Sequence, residues 1–242
     1  MQLELRSSAY GWLMLIGIVT SVWMWSRLTK RDDRLIVVYV AALVGAFLGA
    51  KVIYFLAEGW LDWPRSDRWQ RLATGKSILG GLLGGYLSVE LAKHWIGYRG
   101  ITGDWFALIT PIGILLGRIG CYLHCCCLGK PCAPAWYTTA DAVGTSRWPA
   151  VPMEILFNVA ALISTMILRR NGKLSGQHFH VYLIAYGFFR FAHEFVRETP
   201  RIGLGMSGYH WAALAVAFLG ITEYLRRSVA RRVTNPDHNL VP

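Results

Sequence analysis

Charge is scarce in this sequence: Asp, Glu, Lys and Arg make up 16% of its 242 residues, while apolar residues make up 54%. Soluble globular domains carry about 25% charged residues, so this composition lies well outside their range. Acid is scarcer still, with 14 Asp and Glu against 25 Lys and Arg, for a formal charge of +11. Such an excess would suit nucleic acid if it were gathered on one face or tail. It is spread instead over short connections between apolar runs, which argues against nucleic acid. That placement fits the positive bias of cytoplasmic loops and contact with anionic lipid. Also lacking are an internal repeat, a soluble domain, a P-loop and a dinucleotide fingerprint, since the one glycine-rich run lies inside an apolar stretch and not after a strand. No cofactor is expected. The first run, near Tyr10, follows MQLELRS, is too long for a signal h-region and has no small-residue cleavage site after it. It reads as a membrane span.

What the chain does have is runs long enough to cross a bilayer, which takes about 20 mostly apolar residues. Candidate spans are 9–28, 36–57, 77–96, 104–123, 151–168, 179–196 and 209–225. The expectation is an all-α polytopic membrane protein, 1–242 forming one integral membrane domain with a disordered tail at 233–242. Seven spans put Arg27, Lys30, Arg31 and Arg34 on the same side as Lys93, Arg99, Arg169, Arg170 and Lys173. The basic excess makes that side cytoplasmic, with the N-terminus outside and the C-terminus inside. The connection with Trp60, Trp63 and Trp69 is expected to lie along the outer interface. The third span carries Gly80, Gly81, Gly84 and Gly85, read either as close helix packing or as a glycine-lined ligand groove.

Charged groups within spans cost about 2.5–3.5 kcal/mol on insertion scales, so each calls for a reason. Lys51, Arg118, Arg190, Glu194 and Arg197 are in this position, with His193 beside them. Tyr186, Arg190 and Glu194 recur at four-residue spacing and form a polar stripe on one helical face. The stripe is either a packing ion pair or a cavity in which arginines grip an anionic headgroup; Arg197 can also snorkel to the interface. All five cysteines, Cys121, Cys125, Cys126, Cys127 and Cys132, fall in one segment together with His124. Helix packing, a disulfide, a zinc or copper(I) site and a reactive thiol all remain open for them. No CxxC pair is present, and three adjacent cysteines do not readily face one ion, so no metal is assigned.

The segment GRIGCYLHCCCLG, residues 117–129, resembles the signature of the phosphatidylglycerol–prolipoprotein diacylglyceryl transferases. Gly117, Arg118, Gly120, Tyr122 and Gly129 fall in register, while Cys121, His124 and Cys126 replace its two Asn and its Glu. Tyr10-Gly11, Gly49-Ala50-Lys51, SILGGLLGG, Pro152 and YGFFRFAHEFVRE are similar to further family elements in the same order. The Glu of the element that begins at Pro152 falls at Phe157. Leu79 stands where the family has a histidine, and a leucine cannot move a proton.

The resemblance implies seven spans in a bacterial inner membrane. It also implies transfer of a diacylglyceryl group from phosphatidylglycerol to the lipobox cysteine of a prolipoprotein, releasing glycerol 1-phosphate. Arg118, Arg190, Glu194 and Tyr186 would be catalytic; Tyr10, Lys51, Gly80, Gly81, Arg197, Cys121 and His124 would bind substrate. The partners are the bilayer, phosphatidylglycerol and the lipobox peptide. Another acceptor on the same scaffold, an inactive scaffold protein, or a membrane metal-binding or thiol-redox protein using Cys121–Cys132 are the alternatives.

Overall fold

The computed structural model describes residues 2–30 and 32–234, with side chains for 11–30 and 32–229. Tyr10, as a side chain, and most of the tail lie outside the described residues. The chain is mainly helical: α1 (Gln2–Thr29), α2 (Arg34–Ala57), α3 (Arg68–Thr74), α4 (Ile78–Trp95), α5 (Gly103–Leu123), α6 (Ala150–Arg170), α7 (His178–His193) and α8 (Gly208–Thr234). Four described stretches are long and apolar enough to cross a membrane: Gly11–Thr29, Arg34–Ala57, Gly103–Leu123 and Ala150–Arg170. Their outer faces expose large apolar side chains such as Ile18, Val40, Phe47 and Ile163, as a lipid-facing bundle does. These features are those of a multi-pass membrane protein.

Two packing seams organise the bundle. At the α2–α4 seam, a Cβ on Gly49 would lie 2.8 Å from Gly84 Cα, and one on Gly84 would lie 2.8 Å from Gly49 Cα. Backbones this close exclude any side chain, which explains the glycines by packing. Gly80 meets Gly49 and Ile53 there, and Gly81 faces Ala46. At the α7–α8 seam, Gly187 packs on Ala217 in the same way. The main core joins Leu79, Leu82 and Tyr86 of α4 to Tyr182, Leu183 and Tyr186 of α7 and Ala213 and Val216 of α8. A second cluster packs Trp25 of α1 on Leu35, Val38 and Tyr39 of α2. There the Trp25 indole donates to the Leu35 carbonyl at 2.8 Å and fixes the tight turn between the helices.

The connection between α2 and α4 folds as a 3-10 turn, Gly59–Asp62, followed by α3. Its Trp60, Trp63 and Trp69 are exposed, and Arg68 lies over the Trp63 and Trp69 rings. Lys51, expected among the substrate contacts, is engaged here: its ammonium donates to the carbonyls of Leu72, Ala73 and Gly75. An ammonium has three N–H donors, so these carbonyls account for all of them.

Candidate active site

Alternating helix directions bring the ends of α2, α5 and α7 to the same end of the bundle as the starts of α4, α6 and α8. The polar residues of the site collect there. Arg118, near the end of α5, pairs with Glu154 of α6 at 2.9 Å, and both are buried. Tyr186 of α7 donates to Glu154 Oε1 at 2.6 Å. One turn on, Asn158 donates to the Glu154 carbonyl at 2.8 Å and accepts from Tyr182 at 2.9 Å. Glu154 therefore joins α5, α6 and α7 through one fully buried carboxylate.

A second buried carboxylate, Glu194, sits where α7 gives way to the 3-10 turn Glu194–Val196. It pairs with Arg190 at 3.0 Å and with Arg197 at 3.5 Å. Thr199 and Ser207 donate to its Oε1 at 2.6 and 3.1 Å, and Arg201 donates to its backbone carbonyl at 3.0 Å. His193 is held on both sides: Nδ1 accepts from Arg190 at 2.8 Å and Nε2 donates to the Ala150 carbonyl at 2.9 Å. With both nitrogens committed, His193 is a brace for Arg190 and not a free base. Glu58, at the end of α2, accepts from Tyr209 at 2.8 Å, and burial pushes its carboxyl above the usual range.

The two motif segments are stitched together. Lys130 N donates to the Val196 carbonyl at 2.8 Å, and Gly129 pairs with Arg197 as an isolated bridge. A small hairpin, β1 (Thr139–Ala140) with β2 (Ser146–Arg147), covers the junction, and its Arg147 joins Asp141 to Glu198.

The electrostatics of this end are lopsided. Four guanidinium groups, of Arg118, Arg190, Arg197 and Arg201, meet two buried carboxylates, of Glu154 and Glu194. Arg118, Arg190 and Arg197 all act on Glu154. Arg118 Nε, Arg190 Nε, Arg197 Nη1 and Arg201 Nη1 are buried without a hydrogen-bond partner among the described residues, and Arg197 Nε has only its 3.5 Å ion pair with Glu194. Buried donors of this kind call for an acceptor. Beside them an apolar groove opens between α5 and α6, lined by Tyr122, Pro152, Ile155, Leu156 and Val159.

Of the residues singled out from sequence, the structure brings together Arg118, Tyr186, Arg190, Glu194 and Arg197, with Cys121 adjoining. Gly80 and Gly81 lie on the α2 seam, Lys51 on α3, and His124 is exposed at the end of α5. Leu79 is buried in the main core. Glu154 was missed. The signal was present as a carboxylate inside the span 151–168, whereas the Glu of the similar family element falls at Phe157, about one turn later.

The thiols are ordered too. Backbone in the left-handed region at Cys125 (φ 51°) and Cys127 (φ 59°) curls the chain back on the end of α5. Cys121, Cys126 and Cys127 thereby bring their sulfurs within 4.8 Å of one another. Cys127 is held below the usual thiol range, first by hydrogen bonding with Cys121 and Cys126 and further by Arg118 and Arg197.

Residues 1–226 match the profile of the family described as prolipoprotein diacylglyceryl transferase. A phosphatidylglycerol–prolipoprotein diacylglyceryl transferase of Clostridium tetani is 28% identical, over 90% of this chain and 92% of its own length. One from Solidesulfovibrio magneticus is 30% identical, over 95% and 91%. One from Leifsonia xyli is 29% identical, over 90% and 74%.

Proposed function

Because this chain belongs to the prolipoprotein diacylglyceryl transferase family, we propose that it moves the diacylglyceryl group of phosphatidylglycerol onto the lipobox cysteine of a prolipoprotein. It does so as a seven-span protein of the bacterial inner membrane, one integral domain with its N-terminus outside. The spans are α1, α2 and α4 to α8. At 16 residues α7 is about 24 Å long, and the 3-10 turn after it extends its reach.

The observation that carries this reading is the set of buried, unpartnered guanidinium donors around Glu154 and Glu194. A phosphodiester headgroup supplies the acceptor oxygens they lack, and two or more guanidinium groups bind it in a fixed orientation. The groove between α5 and α6 lets the acyl chains lie alongside, toward lipid. The thiolate then attacks the glyceryl carbon that bears the phosphate. A C–S bond forms, the C–O bond breaks, and glycerol 1-phosphate leaves with the electron pair. Arg118 and Arg190 stabilise the charge that gathers on it. The thiol gives up its proton to solvent before the attack, and the departing glycerol 1-phosphate carries away the negative charge. Leu79 cannot take that proton, so the step does not run through position 79.

The test is direct. Purified protein is incubated in micelles with phosphatidylglycerol and a lipobox peptide, and peptide carrying diacylglycerol is sought by mass spectrometry. A thioether product that vanishes in Arg118→Ala supports the proposal. Full activity without Arg118 sinks it.

A further inference from the structure

The Cys121, Cys126 and Cys127 trio has no part in the transfer reaction derived above. Its geometry is nonetheless specific. Cys121 lies in the last turn of α5, Cys126 N donates to the Cys121 carbonyl at 3.0 Å, and left-handed residues stand on both sides of Cys126. The Cys121 and Cys127 sulfurs are 4.0 Å apart. Metal–thiolate bonds of about 2.3 Å, as zinc makes, place three ligands of a trigonal site about 4 Å from one another. Among the described residues, no His, Asp or Glu completes the group as a fourth donor. Structural zinc sites take four ligands, whereas soft thiolates select copper(I). Arg118 and Arg197 lie within electrostatic reach of Cys127 and offset the charge that three thiolates bring.

We propose that Cys121, Cys126 and Cys127 form a three-thiolate site for copper(I) at the end of α5, beside the arginine cluster. Each thiol gives up its proton to solvent on binding, and no electron is transferred. Bound metal would tie the turn 124–127 to the helix that carries Arg118. Cys125 and Cys132 are outside the trio. The inference is independent of the transfer reaction and does not depend on which substrates the enzyme takes.

The experiment uses the full-length protein in detergent, reduced and kept free of oxygen. Copper(I) is supplied on a chromophoric chelator, whose colour reports competition. The protein should withdraw one equivalent per chain. Cys121→Ser and Cys126→Ser should each weaken it by more than the about tenfold that loss of a ligand's supporting group costs, while Cys132→Ser leaves it unchanged. Equal weakening in Cys132→Ser and Cys126→Ser overturns the proposal. A second readout needs no substitution: one equivalent of copper(I) should shield Cys121, Cys126 and Cys127 from maleimide while Cys132 is still labelled. Labelling of Cys126 at an undiminished rate overturns it as well.

Discussion

Arg118 and Glu154 face each other at 2.9 Å across the contact between α5 and α6, with side-chain exposures of 7% and 0%. A pair this deep gains its attraction against a large desolvation cost, so its net effect on stability is small while it stays whole. Removing one partner is a different matter. Glu154→Ala strands a buried guanidinium and should lower stability by about 3–5 kcal/mol, read as a fall in Tm in detergent. Arg118→Met with Glu154→Leu removes both charges and should recover most of that loss. The double variant should still form no thioether product.

Arg190 is set by His193 on one side and Glu194 on the other. A lysine keeps the charge but has no planar fork to satisfy both partners and grip an anion. Arg190→Lys should cut the rate constant of transfer by about 100-fold, the scale of losing one donor to a developing charge. Single-turnover kinetics with a lipobox peptide would measure it. A rate within threefold of the parent, roughly 0.6 kcal/mol, would remove Arg190 from the chemistry.

Leu79 is 1% exposed and packs among Ala57, Tyr186 and Ala213. Leu79→His puts an imidazole into the buried main core, where a ring that gains no hydrogen bond costs about 1–3 kcal/mol. A lower Tm with transfer retained per folded molecule is the expected result. A Tm equal to that of the parent would show that the position tolerates a polar ring.

The α2–α4 seam depends on backbone contact. Gly84→Leu forces the two helices apart, since its Cβ alone would meet Gly49 Cα at 2.8 Å. Overpacking of this kind costs typically 1–3 kcal/mol or more. Faster hydrogen exchange across 45–57 and 78–88 would follow, and unchanged exchange would count against the seam.

The helices were legible because bilayer thickness and helical rise set the length of an apolar run. The expected 36–57 and 104–123 differ from α2 and α5 by no more than two residues. The end of α7 was less legible: the expected 179–196 stops being α-helical at His193, where Glu194 gathers four side-chain partners and the chain tightens into a 3-10 turn. The hairpin at 139–147 went unforeseen, because two-residue strands carry almost no periodicity. In the site, the four-residue spacing of Tyr186, Arg190 and Glu194 could be read directly. Glu154 was visible as a carboxylate inside an expected span, but its pairing with Arg118, 36 positions earlier in the chain, could not be read from spacing. The role of Lys51 was hidden in the same way, because its acceptors are backbone carbonyls, which leave no mark on side-chain pattern.

The charges of this site are distributed over separate helices, Arg118 on α5, Glu154 on α6 and Arg190 on α7. Arg190 has Glu194 and His193 on its own segment, whereas Arg118 and Glu154 depend on each other across two helices, and a charge left unpaired in a bilayer costs about 2.5–3.5 kcal/mol on insertion scales. Arg118 and Glu154 neutralise each other only when α5 and α6 meet, and Tyr186 then donates to Glu154. On the seven-span reading proposed above, the same pair that shapes the site also couples the assembly of α5 to that of α6.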